Sequence, residues 1–192
     1  LLVANRNSKL LLKQAKLLNV KNILITDKRE FVKLIKNHKN KKLVIYNNYK
    51  LLNKIIKKKV DYTMSAITGL SGLEPTLKLI KYTKKIAIAN KESIICGWPL
   101  IKNELKKYKT EFIPVDSEHF SIWYSLKNNQ DSLKKITLTA SGGPFLNLSL
   151  KKFNNINIKD TLKHPNWKMG KKITVDSATM MNKVFEVIET QR

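Results

Sequence analysis

Short apolar segments alternate with amphipathic segments through the first two thirds of the sequence. The apolar segments are rich in Val and Ile and have the length of strands, whereas the amphipathic ones show helical spacing. The strand candidates are Leu1–Ala4, Asn22–Thr26, Leu43–Tyr46, Tyr62–Ile67, Lys85–Ala89 and Phe112–Val115. The helix candidates are Lys9–Leu18, Arg29–His38, Tyr49–Lys59, Glu74–Tyr82, Glu92–Tyr108 and Ser121–Lys127. This alternation predicts a doubly wound α/β domain with a mostly parallel sheet and right-handed crossovers.

Polar residues follow the first strand candidate, and in such sheets ligands bind beyond the carboxyl ends of the strands. These residues are Asn5, Arg6 and Asn7. If this strand is the second of a nucleotide-binding fold, its end reads the adenosine ribose, and a basic side chain there suits the 2′-phosphate of NADP. Arg6 therefore favours NADP over NAD, although a solvated loop arginine is the alternative. The glycine-rich loop for the pyrophosphate would precede Leu1.

Two carboxylates follow the strand candidate Phe112–Val115. Asp116 and Glu118 are two residues apart, so both side chains would point the same way in an extended segment. A pair of carboxylates at the end of a strand suits a hard divalent cation such as Mg²⁺ or Mn²⁺. The alternative is that Asp116 caps the helix that follows.

The segment from His164 to Glu189 combines histidine, tryptophan, serine, asparagine, lysine and carboxylate side chains in one short run. From Ser177 onward its apolar residues recur at three- and four-residue spacing, which predicts a helix capped by Asp176 or Ser177. The free N–H groups and the dipole at the start of such a helix form an anion site. An amphipathic core helix with solvated polar residues is the alternative.

Three polar residues of this predicted helix share one flank. Asn182 lies four residues before Glu186, and Lys183 lies three residues before it. Lys183 would add a positive charge beside the anion site. Glu186 would complete an all-oxygen set of metal ligands with Asp116 and Glu118. The sequence therefore predicts a metal site close to an anion site.

Small residues follow another strand candidate, Ile136–Thr139. They belong to the run Ala140–Phe145, which includes Ser141 and two consecutive glycines. Such a run leaves backbone N–H groups free to face a phosphate. The sequence therefore predicts a second anion-binding segment here.

The sequence carries a formal charge of +24, which by itself would suggest a nucleic-acid or anionic membrane partner. However, all but three of its 38 basic residues are lysines, and these are scattered over nearly every segment. Phosphate recognition would favour arginine, so we expect solvated lysines and no nucleic-acid partner. A basic nucleic-acid-binding module is the alternative, which a steep salt dependence of binding would reveal. No apolar run approaches the roughly 20 residues of a membrane helix, so no membrane partner is expected.

Cys96 is the only cysteine, so no intrachain disulfide can form. Its apolar neighbours predict a buried thiol in a reducing compartment. His38, His119 and Trp123 are expected to be packing or surface residues. The sequence begins without Met and ends within an apparent helix, which suggests an internal fragment.

Several segments match a known family in their order and in their residues. The longest is HPNWKMGKKITVDSATMMNK from His164, and the others are ANKES from Ala89, PVDSEH from Pro114 and SGGPF from Ser141. Together they resemble 1-deoxy-D-xylulose 5-phosphate reductoisomerases, the NADPH- and metal-dependent enzymes of the non-mevalonate isoprenoid pathway. Asn5 and Ala140 depart from the family pattern, which usually has Gly at both positions.

The resemblance implies a role for each candidate residue. The catalytic residues would be Lys91, Asp116, Glu118 and Glu186, and the last three would hold Mn²⁺ or Mg²⁺. The substrate-binding residues would be Lys91, Ser117, Glu118, Ser141, His164, Trp167, Ser177, Asn182, Lys183 and Glu186, with Ser141, Ser177, Asn182 and Lys183 on the phosphate. The residues that contact NADPH would be Asn5, Arg6, Asn7, Asn90, Glu92 and Gly170. His164 and Trp167 would lie on a mobile segment that closes over the substrate.

The implied reaction converts 1-deoxy-D-xylulose 5-phosphate to 2-C-methyl-D-erythritol 4-phosphate. The cation would chelate two adjacent substrate oxygens, and NADPH would deliver hydride to the rearranged aldehyde. The alternative is another NADP-dependent oxidoreductase that acts on a small phosphorylated substrate. We expect an NADPH-binding domain over residues 1–115 and the first part of an α+β catalytic domain over residues 116–192. The resemblance also implies a homodimer in a bacterial cytoplasm or a plastid-type organelle, with any targeting segment outside this chain.

Overall fold

The computed structural model describes residues 1–38, 42–127 and 133–192. The chain divides into two compact units, Leu1–Val60 and Asp61–Arg192. Each unit carries a three-stranded sheet of its own, and parallel strand pairs occur in both sheets. The α/β class predicted from the sequence is therefore confirmed, with the strands divided between two sheets. The domain boundary predicted after residue 115 stays a prediction.

The first unit alternates strands and helices. Its elements are β1 (Leu2–Ala4), α1 (Ser8–Leu17), β2 (Asn22–Ile25), α2 (Lys28–Asn37), β3 (Val44–Tyr46), a 3₁₀ turn (Tyr49–Leu51) and α3 (Leu52–Ile55). The strands are parallel and lie in the order β1-β2-β3. The buried core consists of Leu11, Ala15, Ile23, Ile25 and Leu34. These residues come from α1, β2 and α2, so both helices pack their apolar stripes against the middle strand.

Polar side chains mark where the helices of this unit begin. Asn7 accepts a hydrogen bond from the N–H of Leu10 at 3.1 Å, at the start of α1. Asp27 accepts from the N–H groups of Arg29 and Glu30 at 2.9 and 3.0 Å, at the start of α2. Each cap satisfies N–H groups that have no partner within their own helix.

The second unit continues the alternation and then becomes helical. Its elements are β4 (Val60–Ser65), a 3₁₀ turn (Leu70–Gly72), α4 (Leu73–Ile80), β5 (Thr83–Ile88), α5 (Lys91–Tyr108), β6 (Glu111–Pro114), α6 (Ser117–Leu126), a 3₁₀ turn (Leu150–Asn155), α7 (Ile158–Thr161), α8 (Lys171–Ala178) and α9 (Met181–Thr190). The strand order is β4-β5-β6, and β5 and β6 run parallel. Ile86 and Ile88 of the middle strand are fully buried. Because β5 and β6 are parallel, α5 and α6 both begin at the same edge of the sheet.

Two predicted elements differ from the structure. Ile136–Thr139 forms no strand, and no strand follows Pro114 in the described residues up to 127 and from 133 onward. A strand needs a neighbouring edge to bond with, and Ile136 instead remains 37% exposed. The helix predicted over Tyr49–Lys59 ends at Ile55, because the chain must turn before β4 begins at Val60.

The helix predicted from Ser177 onward is not continuous, because Ser177 belongs to the end of one helix and a second helix begins at Met181. α8 ends at Ala178 and α9 begins at Met181, and Met180 between them has a left-handed φ of +61°. Both the N–H and the hydroxyl of Thr179 donate to the carbonyl of Val175 at 3.0 Å, at the end of α8. Ser177 therefore lies near the C-terminal end of α8. The prediction that it starts a helix and offers an anion-binding N-terminus is wrong.

The prediction of a buried thiol is also wrong, because Cys96 is exposed. Ile94, Gly97 and Ile101 form the buried stripe of α5. Cys96 lies two residues after Ile94, which at 3.6 residues per turn places it on the opposite side of the helix. No helix in the described ranges combines the length and the apolar character that crossing a membrane requires.

Candidate active site

A cavity of about 510 Å³ in the second unit brings the predicted site residues together. It is lined by the first residues of α5 and α6, by α8 and α9, and by the segments that follow Leu138 and Lys163. Its lining includes Lys91, Asp116, Ser117, Glu118, Ser141, His164, Trp167, Ser177, Asn182, Lys183 and Glu186. These are all the residues that the sequence predicts for catalysis, substrate binding and metal binding.

Three carboxylates converge in this cavity, and we call Asp116, Glu118 and Glu186 the carboxylate triad. Each offers an oxygen that lies within 4.8 Å of the others. Asp116 occupies the N-cap position of α6 and Glu118 its first turn, so they do not share the extended segment that the sequence predicted. The Asp116 side chain makes no capping hydrogen bond, which argues against the alternative that it serves only as a cap. Glu186 comes from α9 and is almost completely buried.

Two lysines form ion pairs with the carboxylate triad. The Nζ of Lys91 lies 2.5 Å from Oδ2 of Asp116, 3.2 Å from Oε1 of Glu186 and 3.0 Å from Oδ1 of Asn182. The Nζ of Lys183 lies 2.6 Å from Oε1 of Glu118 and 2.5 Å from Oε2 of Glu186. Asn182 also donates to Glu186. The shared flank predicted for α9 is therefore confirmed, with Glu186 between the two lysines.

The lysines and carboxylates keep each other in their charged forms. Burial opposes ionisation of Asp116, but hydrogen bonds from His119 and Lys91 outweigh it and hold the pKa of this carboxyl well below its usual value. Burial likewise opposes the charge on Lys91 and Lys183, yet their triad partners raise the pKa of both ammonium groups. These shifts favour the charged forms of Asp116, Lys91 and Lys183 at neutral pH.

His119 contacts the triad residue Asp116, a role that the sequence did not predict. It is buried, and its Nδ1 makes ion-pair contacts with Oδ1 of Asp116 at 3.3 Å and with Oε2 of Glu189 at 3.1 Å. Its Nε2 lies 2.8 Å from the carbonyl oxygen of Glu186 and 2.9 Å from the hydroxyl of Thr190. Every partner offers an acceptor oxygen, because the Thr190 hydroxyl donates its own proton to the Glu186 carbonyl.

This environment favours a doubly protonated ring for His119. Burial by itself would lower the pKa, but the contacts with Asp116 and Glu189 and the Glu186 carbonyl raise the pKa of His119 to about 10. The resulting imidazolium joins the start of α6 to the last turn of α9. A sequence signal did exist, because Asp116 and His119 are three residues apart, as are Glu186 and Glu189.

Ser141 and His164 meet at another side of the cavity. The N–H groups of Asn166 and Trp167 donate to Nδ1 of His164 at 3.2 and 3.0 Å. The ring proton of a neutral His164 therefore lies on Nε2, which is 3.1 Å from the Ser141 hydroxyl. Trp167 is 65% exposed although it lines the cavity. Its exposed indole is available to a ligand, as the sequence predicted.

The residues predicted for NADPH in the second unit have partners of their own. Asn90 is buried, accepts from the N–H of Ser93 at 2.9 Å and donates to the carbonyls of Gly69 (2.6 Å) and Ile67. Its amide therefore fixes the loop after β4, and any effect of its side chain on a cofactor would be indirect. Glu92 forms an ion pair with Lys172 of α8 at 2.5 Å. Gly170 occupies the N-cap position of the same helix. Their contacts with NADPH stay predictions.

In the first unit, Asn5, Arg6 and Asn7 lie where β1 ends. Asn5 donates to the Thr26 hydroxyl at 2.7 Å, and its φ is not positive, so it does not use the left-handed conformation open to glycine. Asn7 is the cap of α1. The Nε of Arg6 lies 3.0 Å from Oδ2 of Asp27, while its side chain is 80% exposed in an open groove. Its lining combines four basic side chains with the carboxylates of Asp27 and Glu30, so basic side chains outnumber acidic ones there.

Comparison with known proteins identifies the family. The family model described as 1-deoxy-D-xylulose 5-phosphate reductoisomerase matches residues 1–97, which is more than half of the chain. The chain belongs to the 1-deoxy-D-xylulose 5-phosphate reductoisomerase family. The family model for the C-terminal domain of the same enzyme matches residues 112–192. The resemblance inferred from the motifs is therefore confirmed.

Curated reductoisomerases match the chain along its whole length. The chain is 64% identical to the reductoisomerase of Pelagibacter ubique over 195 residues, which cover 100% of this chain and 50% of that protein. It is 47% identical to the reductoisomerase of Wolbachia pipientis subsp. Culex pipiens over 189 residues, with coverages of 98% and 48%. The chain thus spans about half the length of the curated relatives it matches.

Solved reductoisomerase structures share the fold. The enzyme from Zymomonas mobilis in complex with NADPH matches with a TM-score of 0.85 and 36% identity, over 98% of this chain and 48% of that one. A second structure, in complex with NADPH, fosmidomycin and magnesium, matches with a TM-score of 0.83 and 33% identity, over 98% of this chain and 49% of that one. The α/β architecture is therefore that of the reductoisomerases.

Gly143, next to the Ser141 segment, permits a close approach that no other residue allows. Its φ is +67°, and an added Cβ would lie 2.6 Å from the carbonyl oxygen of Ser177. We expect Gly143→Ala to lower the free energy of unfolding by about 1–2 kcal/mol, because the left-handed conformation is strained for alanine. Urea unfolding of the full-length protein measures this change.

The matched control is Gly170→Ala. Gly170 has an ordinary φ of −62°, and an added Cβ there has nothing within 4 Å. Because Ala is less favourable than Gly at an N-cap, we expect a small loss of stability, below about 1 kcal/mol and smaller than that of Gly143→Ala. Equal midpoints for the Gly143 and Gly170 variants would show that the approach of Gly143 to Ser177 is not constrained.

Proposed function

We propose that the protein to which this chain belongs converts 1-deoxy-D-xylulose 5-phosphate to 2-C-methyl-D-erythritol 4-phosphate, with NADPH and a divalent cation. The observation that carries this proposal is the lining of one cavity by every residue predicted for catalysis, substrate and metal. The family and the solved reductoisomerase complexes with NADPH and magnesium support it.

The carboxylate triad fits a hard divalent cation. Its three side chains offer oxygen ligands only, and their oxygens already lie within 4.8 Å of one another. Oδ1 of Asp116 contacts His119, and a carboxylate oxygen keeps a second lone pair for a cation. A bound Mg²⁺ or Mn²⁺ supplies stabilisation of negative charge on substrate oxygens.

Lys91 and the buried His119 hold triad carboxylates in position. Lys91 holds Asp116 and Glu186 side by side, and His119 fixes Asp116 from the other side. These contacts set the positions of two triad carboxylates before any ligand enters. Positions set in advance reduce the reorganisation that the reaction requires.

A second set of residues suits the substrate phosphate. Ser141, Ser177 and Asn182, whose side chains carry hydroxyl or amide groups, line the same cavity as Lys183. Ser177 acts from the end of α8 and not from a helix N-terminus. Holding the phosphate away from the reacting carbons converts binding energy into orientation of the substrate.

Hydride transfer is the chemistry that NADPH supplies, and the exposed Arg6 with its basic neighbours suits the 2′-phosphate of that cofactor. A homodimer and a bacterial or plastid-type compartment stay predictions of the family resemblance.

The test is NADPH oxidation by the full-length protein with 1-deoxy-D-xylulose 5-phosphate, followed by the absorbance of NADPH, with and without a chelator. We expect turnover that the chelator abolishes and that Mg²⁺ or Mn²⁺ restores. Binding of NADPH and metal without turnover would contradict the proposed substrate and favour another NADP-dependent oxidoreductase. Turnover that survives the chelator would contradict the role of the triad.

A further inference from the structure

We propose that the ammonium group of Lys183 occupies the position of the divalent cation and leaves it when the cation binds. Lys183 then becomes free for the substrate phosphate, so metal and phosphate strengthen each other's binding. This inference rests on the proposed function, because it requires the carboxylate triad to be a metal site.

The contacts of Lys183 place it among the metal ligands. Its Nζ lies 2.6 Å from Oε1 of Glu118 and 2.5 Å from Oε2 of Glu186. Both partners belong to the triad, whose oxygens lie within 4.8 Å of one another. The ammonium group therefore binds two of the three carboxylates that a metal ion would need. A cation in contact with those carboxylates would take the partners of Lys183.

Charge makes simultaneous occupation unfavourable. Lys91 and Lys183 already set two positive charges against the three negative charges of the triad. A divalent ion in contact with the same oxygens would add two more positive charges a few ångströms from both ammonium groups. Repulsion at that distance is strong in a partly buried site. One lysine must therefore move away.

Lys183 is the lysine that can move. Lys91 is buried, and Asn182 remains as a neutral acceptor for it when a cation approaches. The side chain of Lys183 is 19% exposed, and every contact described for its ammonium group is with the triad. It also lines the same cavity as Ser141 and Ser177. A displaced Lys183 can therefore turn toward an anion in that cavity without leaving the site.

The exchange couples two binding events. Without metal, Glu118 and Glu186 neutralise Lys183, so a phosphate finds little net positive charge. With metal, the same ammonium group needs a new anionic partner. Coupling free energy is reciprocal, so metal should strengthen phosphate binding by the same factor by which phosphate strengthens metal binding. Factors of about 5 to 150 are typical of such coupling.

The test measures Mg²⁺ binding to the full-length protein by calorimetry, with and without inorganic phosphate. For the wild type we expect phosphate to lower the Kd for Mg²⁺ by about fivefold or more. Lys183→Met should bind Mg²⁺ more tightly than the wild type, because the competing cation is gone, and phosphate should no longer change that affinity. The wild-type measurement needs no variant, so a Kd for Mg²⁺ that phosphate does not change would overturn the exchange even if Lys183→Met folds poorly.

Lys172→Met is the matched control. Lys172 also bridges two carboxylates, with its Nζ 2.5 Å from Glu92 and 2.6 Å from Asp176, but neither belongs to the triad. We expect this variant to keep both the Mg²⁺ affinity and the effect of phosphate. A tighter Kd in both lysine variants would mean that lost positive charge, and not exchange at the triad, explains the result.

Other outcomes separate this inference from the proposed function. Mg²⁺ binding that Glu186→Gln abolishes, but that is unchanged or weaker in Lys183→Met, would overturn the exchange and leave the metal site in place. A wild type whose affinity for Mg²⁺ does not change with phosphate would also overturn the exchange and leave the metal site in place. A wild type that binds no Mg²⁺ would overturn both the exchange and the proposed metal site.

Discussion

Replacing Lys91 with Met is expected to lower the free energy of unfolding of the metal-free protein by about 3 kcal/mol. Lys91 is buried and pairs with Asp116 and Glu186, which are themselves largely or wholly buried. Methionine fills a similar volume, so packing changes little. The loss comes from two buried carboxylates that each lose a positive partner and keep one other, His119 for Asp116 and Lys183 for Glu186, which is more costly than losing an exposed ion pair.

Urea unfolding of the full-length protein in a chelator measures this effect. The control is Lys84→Met, because Lys84 pairs with Asp61 at 2.8 Å and both side chains are exposed. We expect no measurable change for the control. We also expect Mg²⁺ to restore part of the stability of the Lys91 variant, since a cation can replace the lost charge. Equal midpoints for the two variants would show that the buried ion pairs contribute little.

Replacing Glu186 with Gln should lower kcat/KM for NADPH oxidation by about a thousandfold, because metal-based charge stabilisation contributes several kcal/mol to such reactions. Glutamine keeps the shape of the side chain and an oxygen for Lys91, but it removes the charge that joins both lysines to the triad. We expect Mg²⁺ binding to fall with activity. NADPH binding should be nearly unchanged.

Glu74→Gln is the control for this substitution. Glu74 pairs with Lys78 on the exposed surface of α4, and both the charge change and the residue types match those at Glu186. Its activity should equal that of the wild type. If Glu186→Gln is fully active at low Mg²⁺, Glu186 is not a metal ligand. That result would favour an oxidoreductase that does not require the carboxylate triad.

The site itself was largely predictable from the sequence, because its motifs are short and local. Asp116 and Glu118 lie at the end of a predicted strand, and Asn182, Lys183 and Glu186 share a flank at helical spacing. The parallel pairing of β5 and β6 then brings the ends of two such strands to one edge. The roles of His164 and Trp167 were predicted from the family resemblance alone, because their segment shows no helical or strand pattern.

Other features depended on contacts that local patterns do not encode. His119 was expected to be a packing or surface residue, but its ring contacts four polar groups. Two of them, on Glu189 and Thr190, are about 70 positions away in the sequence. Lys183 was expected to be free for phosphate, but it pairs with Glu118, 65 positions earlier. Spacing within one helix predicts which side chains share a face, and it does not predict which distant charges meet that face.

The sequence by itself determined most of the strands and helices up to Leu126, since the period of apolar residues and the capping side chains Asn7 and Asp27 act within a few residues. Only the tertiary structure decided which face of α5 is buried, and hence that Cys96 is exposed, and which carboxylates the two site lysines contact. Those features follow from burial and from Coulomb attraction between distant segments. Both arise only when the helices pack around the same cavity.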